Sequence, residues 1–379
     1  MIYLDNASTS FPKPDVVYEK MTSFLKTAGA NPGRAGHRMA VAAERAINEV
    51  RNRIVKFIGG RDPERIIFTL NATDALNIAI KGALKSGDHV ITSHLEHNSI
   101  SRPLKRLEEN GLISITRVAF DGDGFIDPED IERAITPRTR LIALTHASNV
   151  IGTVQPIGEV GRIARERDLL FLVDAAQTAG AIPINVSEDF IDLLAAPGHK
   201  SLLGPPGTGF LYVGERADLR PFREGGTGGD SASRLQPEQL PFRLEGGTPN
   251  TAGIAALGEA IGFIERQGIE KIRNHEIELI ARLIDGLSEN PCVTVFGSRD
   301  LTRHASPVSF NVEGISPEEV GAILDESFDI ATRTGLHCAP YTHEMLGTSP
   351  AGTVRVSPGP FNTQEDVDLL ISAVNEIMG

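Results

Sequence analysis

The chain has 379 residues, 40% hydrophobic and 23% charged, with a formal net charge of −13. That balance fits a soluble globular protein long enough for two domains. It speaks against nucleic acid as a partner, since no long basic run offers a phosphate footprint.

The first twenty residues lack the apolar stretch of a secretion signal, and no run reaches the ~20 apolar residues of a membrane span. The two cysteines, Cys292 and Cys338, make no disulfide framework, which points to a reducing cytoplasm.

In chain order, residues 1–14 read as a short extended lead-in. A helix over 15–26 follows, then the irregular stretch 29–37 and a longer helix over 38–58. Strands and helices next alternate: strand 66–69, helix 72–85, strand 89–93, helix 98–110, strands 113–118 and 141–145, helix 157–167, strand 169–173. Such alternation predicts a mostly parallel sheet covered by helices on both faces. Leu169-Leu170-Phe171-Leu172-Val173 is the unbroken apolar pattern of an interior parallel strand. A second apolar run over 190–196 opens onto Pro197-Gly198-His199-Lys200.

Beyond Lys200 a Gly/Pro turn leads into a strand at 210–213, and a Gly-rich segment covers 224–249. Helices over 251–266 and 269–289 come next. Ser316-Pro317-Glu318-Glu319 is a capping box with Pro at the first helical position, so a helix starts there. A strand at 353–357 and a helix over 363–378 close the chain. The expected division is a large domain over 13–250 and a smaller α+β domain over 251–379, joined by residues 1–12.

Two familiar motifs fail. Gly204 to Gly209 has phosphate-loop spacing, but Phe210 stands where that loop needs lysine. Asp121-Gly122-Asp123-Gly124 begins like a calcium loop without its closing glutamate, and reads as a turn.

The chemistry collects at predicted strand ends, where ligands sit in open α/β sheets. Asp174 and Gln177 follow the strand at 169–173, and His199 and Lys200 follow the run at 190–196. Asn71-Ala72-Thr73-Asp74 opens a helix, whose N-terminus suits a phosphate. Glu96-His97-Asn98 and Ser148-Asn149 follow two further strands. A lysine to bind an aldehyde and an acid to keep a pyridine ring protonated are the demands of pyridoxal 5′-phosphate chemistry.

These pieces, with Tyr3-Leu4-Asp5-Asn6-Ala7-Ser8-Thr9, Val173-Asp174-Ala175-Ala176-Gln177, Gly198-His199-Lys200, Gly246-Gly247-Thr248-Pro249-Asn250 and Arg333-Thr334-Gly335-Leu336-His337-Cys338, resemble the cysteine desulfurases of the class V aminotransferase family. The resemblance runs nearly end to end. It implies the fold-type-I pyridoxal phosphate architecture: α/β, with a mostly parallel seven-stranded sheet flanked by helices in the large domain and a smaller C-terminal domain.

By that resemblance, Lys200 binds the cofactor aldehyde, Asp174 pairs with the pyridine nitrogen, and Gln177 and Asn149 bond the phenolate oxygen. His97 stacks on the ring and joins the catalytic set. Ala72, Thr73 and His199 hold the phosphate, with Thr248 supplied across a homodimer interface. Arg355 grips the substrate carboxylate as a fork, Arg333 lies on the substrate side, and Asn31, Arg34 and His37 match an Asn-x-x-Arg-x-x-His pattern near the substrate. The usual glycine after that arginine is Ala35 here.

Cys338 separates desulfurases from aminotransferases, because breaking a C–S bond needs a thiolate to take the sulfur. His337 and Arg333 are expected to favour that thiolate. The short span between Cys338 and Arg355 resembles the second desulfurase group. The implied activity turns L-cysteine into L-alanine, with sulfur carried by Cys338 to an acceptor protein, as in iron–sulfur cluster assembly. The alternative is a selenocysteine lyase, or another reaction of the class V family in which Cys338 is a spectator.

Overall fold

The computed structural model describes residues 1–33, 36–228 and 233–378. Its first part runs β1 (Ile2–Tyr3), α1 (Asp15–Thr27), α2 (Arg38–Phe57), β2 (Ile66–Thr69), α3 (Ala72–Ala83), β3 (His89–Ser93), α4 (Asn98–Glu109), β4 (Ser114–Val118), α5 (Pro128–Arg133), β5 (Thr139–Thr145), α6 (Ile157–Glu166), β6 (Leu170–Asp174), β7 (Leu193–Pro197) and β8 (Gly209–Val213). The rest adds α7 (Thr251–Gln267), α8 (Ile269–Ser288), β9 (Val293–Phe296), β10 (Val308–Val312), α9 (Pro317–Phe328), β11 (Ile330–Ala331), β12 (Arg333–Gly335), α10 (Pro340–Leu346), β13 (Thr353–Val356) and α11 (Gln364–Ile377).

Local chemistry sets many of these boundaries. Asn71 starts α3 by accepting the Asp74 N–H, and Ser316 starts α9 by accepting the Glu319 N–H with Pro317 at the first position. Thr363 and Asp366 form a reciprocal capping box at the head of α11.

Seven strands form one sheet in the order β2-β8-β7-β6-β5-β3-β4. All run parallel except β8, which is antiparallel to both its neighbours. This is the mostly parallel sheet that the alternating pattern predicts.

Its interior strands alternate between two cores. Phe171 and Val173 of β6 face one core, shared with α2, α6 and α7. Leu170 and Leu172 face the other, shared with α3 and α4. Burial on both faces is why β6 reads as a continuous apolar run. Gly209 opens β8 so close to the start of α3 that a Cβ would lie 2.9 Å from the Asn71 Cα. Only glycine lets the sheet edge and that helix start approach so near.

The edge strand β2 is closed by side chains. Arg51 donates to the Ile66 carbonyl and, at 2.6 Å, to Glu245 Oε2, while Glu245 Oε1 accepts the Phe68 N–H at 2.6 Å. Both partners are largely buried. The unpaired backbone of an edge is otherwise a template for another strand.

A second sheet, β12-β13-β10-β9, is antiparallel and has its own core from α8, α9 and α11. β1 pairs in parallel with β11, so the N-terminus joins this part. The sequence opens the second domain at residue 251. However, α7 lays Ile254, Leu257, Ile261 and Ile264 into the core of the large sheet, so we propose the boundary at Gly268. No helix of the described residues is long and apolar enough to cross a membrane.

Candidate active site

The ends of β6 and β7 deliver the central pair. Asp174 is the last residue of β6 and is 3% exposed. Its Oδ1 accepts the Ala176 N–H at 2.9 Å. Burial pushes its carboxyl up, and the Ala176 N–H and the Lys200 charge pull it back.

Lys200 follows β7 in a tight turn. Burial lowers its amine to about 8, with Asp174 opposing and Arg355 and Arg333 reinforcing the shift. A neutral amine is the form that attacks a carbonyl or accepts a proton. The N-terminal segment holds the turn in place. The Ser10 N–H, Thr9 Oγ1 and Lys13 Nζ donate to the His199 carbonyl at 2.9, 3.1 and 2.8 Å, and Ser10 Oγ donates to the Lys200 carbonyl at 3.0 Å.

His97 caps α4. Its Nδ1 accepts the Ser99 N–H at 3.0 Å, which puts the ring proton on Nε2. Ser99 Oγ lies 2.8 Å from the same nitrogen and 2.7 Å from Thr73 Oγ1, so it ties the start of α3 to that of α4. Burial, then the charges of Lys200, Arg333, Arg355 and Arg102, lower His97 to about 3, so the ring is neutral. Ala72 is buried and Thr73 exposed at the head of α3. His199 is likewise neutral, lowered to about 4 by burial, and its Nδ1 is buried with no partner among the described residues.

Arg355 projects from β13 and is 1% exposed. Nη1 donates to the Asn149 carbonyl at 2.9 Å; Nη2 donates to Asp5 Oδ1 and to Ser8 Oγ, both at 2.8 Å. Its Nε is buried and unpartnered among the described residues. The fork expected for a substrate is thus partly filled by the chain itself. Ser8 Oγ also accepts Arg333 Nη1 at 2.7 Å and donates to Asp5 Oδ1 at 2.8 Å. Arg333 Nη2 in turn lies 3.6 Å from Cys338 Sγ.

Cys338 sits in a turn where His337 and Cys338 both adopt left-handed backbone, φ 46° and 59°. Such conformations are unfavourable for non-glycine residues and concentrate at functional sites. The Asn98 N–H anchors the Cys338 carbonyl at 2.7 Å, beside His97.

His337 differs from expectation. Its Nε2 faces Thr353 Oγ1 at 3.0 Å, and burial, followed by Arg355, lowers it to about 2. It is neutral, so it brings no positive charge to the thiol; Arg333 does.

Asn149 donates from Nδ2 to the His337 carbonyl at 2.7 Å, and Gln177 from Nε2 to the Ala7 carbonyl at 3.2 Å. Each amide keeps a second N–H. Three expected residues differ from this largely buried cluster in exposure. Asn31 is exposed, His37 is exposed and caps α2, and Thr248 is exposed on the segment before α7. Arg34 lies outside the described residues.

Sequence reasoning passed over Asp5 and Ser8 as site residues, although both lie in the quoted N-terminal motif. It also gave no role to Glu96, a fully buried carboxyl that accepts Ser93 Oγ at 2.6 Å and is raised to about 8 by burial.

The family model described as aminotransferase class-V matches residues 2–370. A protein named probable cysteine desulfurase from Methanothermobacter thermautotrophicus is 38% identical, over 100% of this chain and 95% of that one. A cysteine desulfurase from Salmonella agona is 31% identical, over 100% of this chain and 93% of that one. Among solved structures, an apo cysteine desulfurase from Thermococcus onnurineus superposes with a TM-score of 0.94 at 36% identity, covering 99% of this chain and 94% of that one. A cysteine desulfurase from Escherichia coli gives 0.89 at 28% identity, covering 99% and 94%.

Proposed function

Because the chain belongs to the class V aminotransferase family, we propose that it is a pyridoxal 5′-phosphate-dependent cysteine desulfurase, turning L-cysteine into L-alanine and carrying the sulfur on Cys338. The observation that carries this reading is the position of Arg333. Its guanidinium lies 3.6 Å from Cys338 Sγ and its charge also lowers the Lys200 amine, so thiol and amine serve one site.

The residues present fit the cofactor. The partly neutral Lys200 amine suits its aldehyde, the buried Asp174 carboxyl its pyridine nitrogen, and the helix start at Ala72 and Thr73 its phosphate. The His199 Nδ1, buried and without a partner among the described residues, leaves a polar atom free for the same group. The second N–H groups of Asn149 and Gln177 suit its phenolate oxygen, and the neutral His97 ring its face. When bound, the cofactor supplies an electron sink for negative charge at the amino-acid α-carbon.

The chain's own residues do the rest. Arg355 holds the carboxylate. Lys200, once its amine is free, takes the α-proton. Cys338 Sγ attacks the substrate sulfur, and Arg333 stabilises the negative charge on the attacking atom. The electron pair of the broken C–S bond stays on the β-carbon, which takes up a proton, and Lys200 gives a proton back to the α-carbon, so that L-alanine leaves. Cys338 is left as a persulfide, which passes its outer sulfur to an acceptor protein or releases sulfide to a thiol reductant. In this reading the protein is a cytoplasmic homodimer whose Thr248 completes the partner's phosphate site, with Asn31 and His37 near the substrate.

The test is incubation of the purified protein with L-cysteine and a thiol reductant, beside Cys338→Ala. Equal amounts of alanine and sulfide from the parent, and loss of both in the variant, are expected. Equal output from the two proteins removes Cys338 from the reaction. No products from cofactor-loaded protein removes L-cysteine, with L-selenocysteine next to be tried.

A further inference from the structure

Arg355 carries a charge into an almost closed site, where an unpaired guanidinium is costly. Its burial is offset by one carboxylate, that of Asp5 at 2.8 Å. The backbone sets this meeting. Asp5 is bridged in parallel to Ser357, two residues beyond Arg355, and Ser357 Oγ accepts the Ala7 N–H at 2.9 Å and donates to the Leu4 carbonyl at 3.2 Å. The N-terminal segment therefore lies in fixed register along the end of β13.

A guanidinium has five N–H groups. Three are spent within the chain, on Asn149, Asp5 and Ser8. They grip Nη1 and Nη2 from different elements and so fix both the plane and the tilt of the group. Two remain, one on Nη1 and that of Nε, which is buried and without a partner among the described residues. Ser8 cannot swing away, because its hydroxyl donates to Asp5 and accepts from both arginines.

We propose that Asp5, braced by Ser8, is a positioning residue that aims the Nε edge of Arg355 at the substrate carboxylate. It touches no reacting atom. It keeps the guanidinium charged and oriented, with its Nε–H unspent. The proposal rests on the reading of Arg355 as the carboxylate site and adds the residue that sets its geometry. Removing the carboxylate of Asp5 must therefore weaken ligands that have a carboxylate and spare those that lack one.

L-Alanine and ethylamine differ only in that group. Binding of each to the cofactor-loaded protein is measured by calorimetry for the parent, Asp5→Ala and Asp5→Asn, with melting temperatures alongside. A charge-assisted hydrogen bond of ordinary strength predicts that Asp5→Ala weakens L-alanine by roughly 10–100-fold. Asp5→Asn falls between, since it keeps an acceptor without the charge, and it supplies the same comparison if Asp5→Ala does not fold. Ethylamine affinity stays within about twofold of the parent, because it makes no contact with Arg355.

Equal weakening of both ligands means a general structural role and overturns the proposal. Unchanged L-alanine binding overturns it as well. Tighter L-alanine binding also overturns it, by making Asp5 a competitor for the arginine. Turnover of L-cysteine by the parent is read separately. A selective loss of L-alanine affinity in a protein that does not desulfurate cysteine keeps this inference and rejects the activity.

Discussion

The guanidinium of Arg333 stands 3.6 Å from the sulfur of Cys338 and 2.7 Å from the hydroxyl of Ser8. A cation at that distance stabilises charge developing on the sulfur, and replacing it removes that help. Arg333→Ala is expected to slow alkylation of Cys338 by iodoacetamide about tenfold. Peptide mass spectrometry over time reads the rate, with Cys292, far from the site in sequence, as the internal reference. Equal rates at Cys338 in parent and variant separate the arginine from the thiol.

Lys200 is expected to set the pH dependence of proton removal. Burial lowers its amine to about 8, and only the neutral amine accepts a proton. Exchange of the α-proton of L-alanine for deuterium by the cofactor-loaded protein should rise with pH and level off above about 8. Lys200→Ala should abolish it. Proton NMR follows the loss of the α-signal, and exchange that persists in Lys200→Ala assigns the base elsewhere.

Glu96 gives a stability prediction with a definite sign. Its carboxyl goes from an ordinary 4.5 to about 8 in the folded protein, because burial disfavours the charged form. Below 4.5 both states are protonated and the residue is neutral in its effect. Between 4.5 and 8 the unfolded chain alone loses the proton, so stability falls as pH rises, and the full penalty stands above 8. Glu96→Gln removes the penalty and can still accept from Ser93. Its melting temperature relative to the parent should climb with pH across that window. A constant difference at all pH values contradicts this account.

The ion pair of Arg51 and Glu245 closes the β2 edge, and breaking one side leaves the other buried and unpaired. Glu245→Ala should cost about 3–5 kcal/mol in urea denaturation. Replacing both residues, as Arg51→Met with Glu245→Leu, should restore most of that loss, because no charge is then stranded. A double variant as unstable as the single one would show that the backbone bonds, rather than the charges, hold the edge.

Much of this architecture can be read from the chain alone, and the exceptions have physical causes. β2 and β3 fall at 66–69 and 89–93 as expected, since strands buried along their whole length, even at a covered edge, announce themselves as largely apolar runs between turn residues. Helix starts at Asn71, Ser316 and Thr363 follow capping chemistry. β9 does not stand out because it is four residues long and partly exposed, and β10 because Ser309 and Asn311 interrupt its apolar pattern although it is largely buried. α10 is a single Pro-led stretch of seven residues directly after the cysteine turn.

Lys200 and Asp174 were legible because each follows a strong strand pattern. Asp5 was not, because its partner lies 350 positions away and no local pattern marks an ion pair of that span. His337 misled for a related reason. Its nearness to Cys338 in sequence suggested a cation, but its ring turns to Thr353 and burial keeps it neutral.

The same 350-residue span has a consequence for how the protein is made. Asp5 leaves the ribosome 350 positions ahead of Arg355. The large sheet, complete by Val213, can fold while synthesis continues, at roughly 5–20 residues per second. The N-terminal segment, however, has no strand to lie along until β11 and β13 have emerged. A truncated or stalled chain would therefore carry its lysine turn without the strap that steadies it, and without either arginine. The reactive centre is thus completed only after Arg355 has emerged, however early its lysine turn has formed.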